Sequence, residues 1–173
     1  MLLQEDNIVI RNATGEDAEQ LCTWWNDGKI MAHAGFPNGL GTSKEEIIRK
    51  ISTDTDDTRR RLIIDIDKIP VGEMSYHNLG NNIAEIGIKI CDFKQQNHGY
   101  GSRILGMLIH ELFKQGYEKI KLDTNLNNER AQHVYEKIGF RKTGIRVDAW
   151  IDQLGESQTA VDYELTCEER HGH

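Results

Sequence analysis

The chain has 173 residues, of which 38% are hydrophobic and 28% are charged, and its formal net charge is −7. This length fits one domain over residues 1–173, and the composition is typical of a globular protein rather than a disordered one. The acidic balance disfavours nucleic acid, and the apolar runs are too short for a membrane-spanning helix, so we expect neither nucleic acid nor a membrane as a partner.

The first half of the chain is predicted to hold one strand and two helices. Residues 7–13, NIVIRNA, place their isoleucines on one face of a strand. Thr14 with Asp17 forms a loose capping box, and apolar residues then recur at helical spacing. Ser43 with Glu46 forms a second capping box before a short helix. The chain therefore begins with a β-α-α arrangement.

The second half is predicted to begin with three strands, followed by a helix, a strand, a second helix and a terminal hairpin. These elements cover residues 61–67, 71–77, 83–90, 104–112, 117–125, 127–139, 140–151 and 157–166. The strands show polar and apolar alternation, and Gly116 ends the first of the two helices. The resulting order is β-α-α-β-β-β-α-β-α-β-β, which predicts a mixed α/β sandwich rather than a doubly wound sheet.

The three cysteines indicate a reducing compartment. Cys22, Cys91 and Cys167 lie far apart, with no C-x-x-C spacing. Such a pattern argues against a disulfide framework and against a structural zinc site. The N-terminal stretch MLLQEDNIVI lacks the basic and apolar regions of a secretory signal, so we expect a cytoplasmic protein.

Two glycines, Gly99 and Gly101, stand directly before the first helix of the second half. Glycines at a helix entrance let backbone N–H groups approach a phosphate closely, and the helix dipole favours the negative charge. The sequence contains no Walker A string, G-x-x-x-x-G-K-[ST], and Ile104 stands where a dinucleotide fingerprint needs its third glycine. Neither of these nucleotide motifs therefore explains the glycine pair.

A different family accounts for these residues. The stretch QNHGYG, residues 96–101, fits Q/R-x-x-G-x-G/A, the pyrophosphate loop of the GNAT superfamily of N-acetyltransferases. The stretch NERAQHVYEKIGF, residues 128–140, resembles a second signature of that family, N-x-x-A-x-x-x-Y-E-K-x-G-F. AEIGIKI, residues 84–90, is similar to its fourth strand. The resemblance covers residues 71–144 well, and implies the GNAT fold, a mostly antiparallel central sheet of about seven strands flanked by about four helices.

The resemblance implies acetyl-CoA as the cosubstrate and no metal. It implies main-chain contacts to the pantetheine arm from Ile88, Lys89 and Ile90. The phosphate loop and the start of the later helix supply the other implied cofactor residues, namely Gln96, Asn97, His98, Gly99, Tyr100, Gly101, Ser102 and Asn128. Asn128 is also an ordinary helix N-cap, and His98 is also compatible with a solvent-exposed loop.

Acetyl transfer from a thioester to an amine needs a deprotonated amine and a proton donor for the departing thiolate. The resemblance maps Tyr135 to the proton donor, although its helical spacing also fits a packed core residue. Glu85 is the candidate base because strand parity turns it away from the isoleucine layer, and a carboxylate on a solvated sheet face is the alternative. Glu73 and Asp123 are the fallback bases.

The acceptor amine is the least defined part of the interpretation. The resemblance places its site at the first two helices, their connecting loop and the terminal hairpin, which makes Trp24, Trp25, Phe36 and Trp150 candidate substrate residues. The acidic composition favours a small cationic amine, such as a polyamine or an aminoglycoside. A protein N-terminus of the ribosomal-protein type and a non-catalytic acyl-CoA-binding domain are the alternatives. A homodimer is a further alternative for the oligomeric state, since many members of the family are dimers.

Overall fold

The computed structural model describes residues 1–96 and 98–171, which form eight strands in one sheet and six α-helices. The strands are β1 Leu2–Glu5, β2 Ile8–Asn12, β3 Arg59–Ile66, β4 Ile69–Gly80, β5 Ile83–Ile90, β6 Lys119–Asn125, β7 Arg141–Ile151 and β8 Ser157–Thr166. The helices are α1 Ala18–Trp25, α2 Gly28–Met31, α3 Lys44–Ser52, α4 Tyr100–Lys114, α5 Glu129–Ile138 and α6 Cys167–His171. None of the described helices is long and apolar enough to cross a membrane.

The strands are ordered β1-β2-β3-β4-β5-β6-β8-β7 across the sheet. Every neighbouring pair is antiparallel except β5 and β6, which are parallel. This confirms the predicted mixed, mostly antiparallel α/β fold. The described residues hold one strand and two helices more than the expected seven and four. The additions are the edge strand β1 and the short helices α2 and α6.

Two tight turns build the antiparallel meander from β3 to β5. Asp67 and Lys68 join β3 to β4 with φ values of 53° and 68°. Asn81 and Asn82 join β4 to β5 with φ values of 55° and 61°. Consecutive left-handed residues of this kind twist in the same sense as the flanking strands, and asparagine and aspartate tolerate them best. The turns therefore fix the register in which β5 lies beside β4.

The two faces of the sheet are covered by different helices. One face packs against α4 and α5, and the α4 stripe is fully buried at Ile104, Leu105, Leu108, Ile109 and Leu112. The other face packs against α1 and α3 through a second apolar cluster, which includes Leu21, Trp24, Ile47 and Ile63. Such i, i+3, i+4 stripes are the amphipathic pattern that the sequence predicted. The sheet therefore separates an α4 and α5 side from an α1 and α3 side.

A buried ion pair fastens the start of α1 to the sheet. Both terminal nitrogens of Arg11, on β2, donate to the carboxylate of Asp17 over 2.9 Å, and Arg11 also donates to Asp65 on β3. The carboxylate of Asp17 also accepts from the Thr14 backbone N–H at 2.8 Å, and this bond completes the predicted capping box. Asp17 is only 8% exposed, so its charge depends on these partners.

Replacement of Asp17 by asparagine is expected to lower the free energy of unfolding at pH 7 by about 1 to 3 kcal/mol, because a charged hydrogen bond to Arg11 is lost. Burial alone would raise the pKa of Asp17, but the hydrogen bonds from Arg11 and Thr14 outweigh burial and lower it. Its contribution is thus full above the unfolded pKa of about 3.9 and is lost as pH falls through the folded value. Denaturant unfolding at several pH values should show the wild-type advantage shrinking in acid. Replacement of the exposed Asp57 by asparagine is the control, and an equal loss in both variants would contradict the role of Asp17.

Candidate active site

The sheet splits between its two parallel strands. β5 and β6 pair only at Ile83 with Lys119, Ala84 with Ile120 and Glu85 with Lys121. In the described chain, β5 then runs on to Ile90 with no strand partner on its β6 side. The backbone N–H and C=O groups of an unpaired strand edge are free to bind an extended ligand. The split therefore exposes an edge of β5 inside the sheet, where hydrogen bonds to β6 would otherwise pair its backbone groups.

A cleft with a volume of about 830 Å³ lies at this split. Its walls come from β5, β6, the entrance of α4, the first turns of α5, and Trp150 on β7. Eight of the ten described residues that were predicted to bind the cofactor line it, namely Ile88, Lys89, Ile90, Gln96, Gly99, Gly101, Ser102 and Asn128. His98 and Tyr100 do not, and Asn97 lies outside the described residues.

The entrance of α4 has free backbone donors. Gly99 is the N-cap residue, with a left-handed φ of 77°, and no side chain of the described residues caps the helix. The first N–H groups of a helix have no acceptor within the helix, and those of α4 follow directly on Gly99. The helix has 15 residues and its N-terminus therefore adds a favourable dipole for an anion. The local geometry is that of an anion site with room for close approach at Gly101 and Ser102.

Gln96 fastens the loop to both walls of the cleft. Its side-chain Nε2 donates to the carbonyl oxygen of Ile90 at 3.1 Å, and its Oε1 accepts from Arg130. Arg130 lies in the first turn of α5 and lines the cleft. It was not among the residues predicted from the sequence, although a basic residue near a phosphate loop could have indicated it. Arg103, in the first turn of α4, forms an ion pair with Asp6 at 2.9 Å, at the turn between β1 and β2.

Asn128 caps α5 with its side chain. Its Oδ1 accepts from the Ala131 backbone N–H at 3.2 Å, so the ordinary N-cap role is present. Asn128 also lines the cleft, so the two roles considered for it are compatible.

Tyr135 lies where the aromatic core meets the cleft. Its ring packs edge-on against Tyr163 and Phe140, with centroids 5.7 Å and 6.1 Å away. It is 6% exposed and also lines the cleft. Burial raises the pKa of the Tyr135 hydroxyl above its ordinary value, and the nearby charge of Asp123 adds to the effect. The phenol therefore stays protonated at neutral pH, as a hydrogen-bond donor must.

The three candidate bases occupy different positions. Glu85 is exposed at the last paired rung of β5, beside the cleft, and lines a shallower depression on the sheet surface. Asp123, on β6, lines both the cleft and that depression, and it accepts from Arg146 at 2.9 Å. Glu73, on β4, lines neither, and accepts from Trp25 Nε1 at 2.8 Å. Burial raises the pKa of the Glu73 carboxyl, against the opposing effects of Lys89 and Trp25.

The four aromatic candidates for acceptor binding separate into two groups. Trp24 and Trp25 are buried in the cluster between α1 and α3 and do not line the cleft. Phe36 is 37% exposed and does not line it either. Trp150 does line the cleft, and its ring packs against Gly35, where an added Cβ would come within 2.4 Å of the ring. The sequence analysis missed the nearby Lys29, which also lines the cleft.

Comparison with known proteins gives one consistent result. A family model described as an acetyltransferase (GNAT) domain matches residues 7–141. An uncharacterized N-acetyltransferase, YoaA, from Bacillus subtilis (strain 168) is 25% identical over 153 residues, covering 83% of this chain and 85% of the relative. The solved structure of spermidine N-acetyltransferase from Vibrio cholerae in complex with CoA and spermine is 21% identical, covers 96% of this chain and 99% of that one, and superposes with a TM-score of 0.83. A ribosomal alpha-N-protein acetyltransferase in complex with Coenzyme A has a TM-score of 0.85 at 16% identity, covering 96% and 98%.

Proposed function

This chain belongs to the GNAT acetyltransferase family and is an amine N-acetyltransferase, and we propose that it moves the acetyl group of acetyl-CoA directly to a primary amine in a ternary complex. The observation that supports this most is one cleft that joins a split sheet edge, a free helix entrance and Tyr135. We further propose that residues 1–173 act as one catalytic domain. Residues of the sheet split and of the α4 entrance line the same cleft, which supports a single domain.

The polar groups of the cleft support acetyl-CoA as its ligand. The N–H groups at the start of α4, with Arg130, offer donors for a pyrophosphate. The edge of β5 from Ile88 to Ile90, where the Ile90 carbonyl already accepts from Gln96, offers donors and acceptors for the amides of a pantetheine arm. Acetyl-CoA, when bound, supplies an activated thioester. The chain therefore needs to position two reactants and to manage two protons.

Tyr135 is the proposed donor to the leaving sulfur. A phenol is a weaker acid than a thiol, so complete proton transfer from Tyr135 to a thiolate is uphill. We infer that its hydroxyl hydrogen-bonds the sulfur as negative charge develops there, and that solvent completes the protonation. The raised pKa of Tyr135 keeps this donor in place throughout the neutral and mildly alkaline range.

Glu85 is the proposed acceptor of the amine proton, through water. Its carboxylate is exposed beside the split, on the side of the sheet opposite α4 and α5, and solvent can carry a proton between it and the cleft. Glu73 is less suited to this role because it lies outside the cleft and already accepts from Trp25. Asp123 is less suited because its carboxylate already accepts a hydrogen bond from Arg146.

The acceptor class is a separate proposal. The acidic composition led to the expectation of a small cationic amine, and a polyamine or an aminoglycoside fits that class. The relatives with stated substrates act on spermidine in one case and on a ribosomal protein in the other, and their names give two different amine classes. The residues of this cleft are therefore the better guide to its acceptor.

The proposed function is tested by two measurements. Isothermal titration with acetyl-CoA should give a 1:1 complex, and a flat trace would contradict any CoA-based function. Thiol release should then be followed with a broad amine panel that contains polyamines, aminoglycosides, amino acids and short peptides. Binding without thiol release from any amine would favour the non-catalytic acyl-CoA-binding alternative.

A further inference from the structure

One face of β5 carries opposite charges at its two ends. Glu85, Gly87 and Lys89 alternate along the strand, so all three face the side of the sheet away from α4 and α5. Four residues of strand separate Glu85 from Lys89 by about 13 Å. Gly87 lies between them, lines the cleft and has no side chain of its own, with the Ser75 hydroxyl of β4 beside it. The face is therefore an open strip with a carboxylate at one end and an ammonium at the other.

Lys89 is held in place at its end of the strip. Its Nζ lies 3.1 Å from the sulfur of Met31 and 3.8 Å from a carboxylate oxygen of Glu73, directly opposite on β4. That second distance is longer than a hydrogen bond, and the Glu73 carboxylate already accepts from Trp25. The Lys89 side chain is 26% exposed and lines the cleft. Its ammonium therefore retains donors for a further partner.

Two lysines, one arginine and two acidic residues of the described chain line the cleft, namely Lys29, Lys89, Arg130, Asp123 and Glu129. Lys29 is exposed, lines the same cleft and makes no ion pair with any described residue. Asp123 is the acidic group on the β6 side, and Arg146 donates to it at 2.9 Å. Two lysines with donors to spare attract an anion and repel a second cation. This distribution does not favour a polyamine lying along the strip.

We propose that the acceptor is a small amine that also carries a carboxylate or phosphate group, with the amine over Gly87 toward Glu85 and the anionic group bound by Lys89 and Lys29. This inference rests on the proposed acetyltransferase function and adds the acceptor class to it. The positions of the charges set this orientation. The amine of the acceptor must reach the split at Glu85. The anionic group of the acceptor must reach Lys29 and Lys89, the two lysines that line the cleft among the described residues.

Matched acceptor pairs test the proposal. Thiol release should be measured with each α-amino acid against its own carboxamide, and with O-phosphoethanolamine against ethanolamine, together with spermidine. The members of each pair differ in the anionic group, so the wild-type protein should show a kcat/KM at least tenfold higher for the anionic member of the preferred pair. The two kinds of pair distinguish a carboxylate from a phosphate as the recognised group.

The variant Lys89→Met removes the charge and keeps the length of the side chain. We expect kcat/KM for the preferred anionic acceptor to fall at least tenfold further than kcat/KM for its uncharged partner. Lys29→Met should act in the same direction, and Lys114→Met, an exposed lysine at the end of α4, should change neither. Acetyl-CoA affinity should be unchanged in Lys29→Met and Lys114→Met, and kcat/KM for each acceptor pair should be compared within the Lys89→Met variant.

Three outcomes would overturn the anionic-acceptor proposal while the acetyltransferase function stands. They are equal turnover of charged and uncharged partners, a preference for spermidine, and equal losses for both partners in Lys89→Met. Absence of turnover with every amine would instead overturn the proposed function, and the acceptor class with it.

Discussion

Replacement of Gly101 by valine is expected to weaken acetyl-CoA binding by about 10- to 100-fold, with little change in the stability of the protein. Among the described residues, an ideal Cβ at Gly101 comes near only Val134 Cγ1, at 4.0 Å, so we expect the folded protein to accept a branched side chain there. The two methyl groups would then occupy the space in front of the α4 donors. Loss of one charged hydrogen bond, about 1.5 to 3 kcal/mol, accounts for the expected change in affinity.

The choice of glycine matters for this experiment. Gly99 has a φ of 77°, a conformation that costs other residues about 1 to 2 kcal/mol, so a substitution there would mix backbone strain with loss of binding. Gly106→Val is the matched control, because Gly106 lies in the same helix outside the cleft and the one described atom near its Cβ would be Arg170 Nη2, at 3.5 Å. Calorimetry and thermal unfolding should be measured on both variants. An unchanged acetyl-CoA affinity in Gly101→Val would assign the helix entrance to another ligand.

Local sequence patterns predicted the elements around the cleft well. The strand predicted at residues 83–90 coincides with β5 and that at 157–166 with β8. The helix α5 ends at Ile138, and the following Gly139 forms a left-handed C-cap with a φ of 118°, a conformation that glycine allows. These elements combine strong periodicity with a definite stop signal, and both are properties of the local sequence.

Other features depended on tertiary contacts that a single sequence does not carry. β1 has four residues and exists because it pairs with β2 across a turn at Asp6. The alternation along β5 correctly predicted that Glu85 faces away from the isoleucine layer. The position at which β5 and β6 separate could not be predicted from the sequence of either strand alone. Burial of Trp25 against Glu73 likewise depends on how α1 docks on β4.

Substitution of phenylalanine for Tyr135 is expected to lower kcat about 100-fold with less than a threefold change in acetyl-CoA affinity. The ring contacts with Tyr163 and Phe140 survive the substitution, so the core should keep its packing. Only the donor to the leaving sulfur is lost, and positioned acids of this kind contribute roughly 100- to 10,000-fold. We expect the lower end of that range because Tyr135 stabilises the thiolate by a hydrogen bond without complete proton transfer.

The pH dependence separates this role from simple packing. Because burial raises the pKa of Tyr135, wild-type kcat should rise with pH as the amine is deprotonated, with no decline from phenol ionisation up to about pH 10, the ordinary value for tyrosine. Tyr163→Phe is the matched control, since the Tyr163 hydroxyl is buried with no hydrogen-bond partner among the described residues and its removal should cost little. If Tyr135→Phe and Tyr163→Phe reduced kcat equally, the effect would come from the aromatic cluster. A kcat of Tyr135→Phe within twofold of the wild type would remove Tyr135 from the mechanism and leave solvent as the donor to the sulfur.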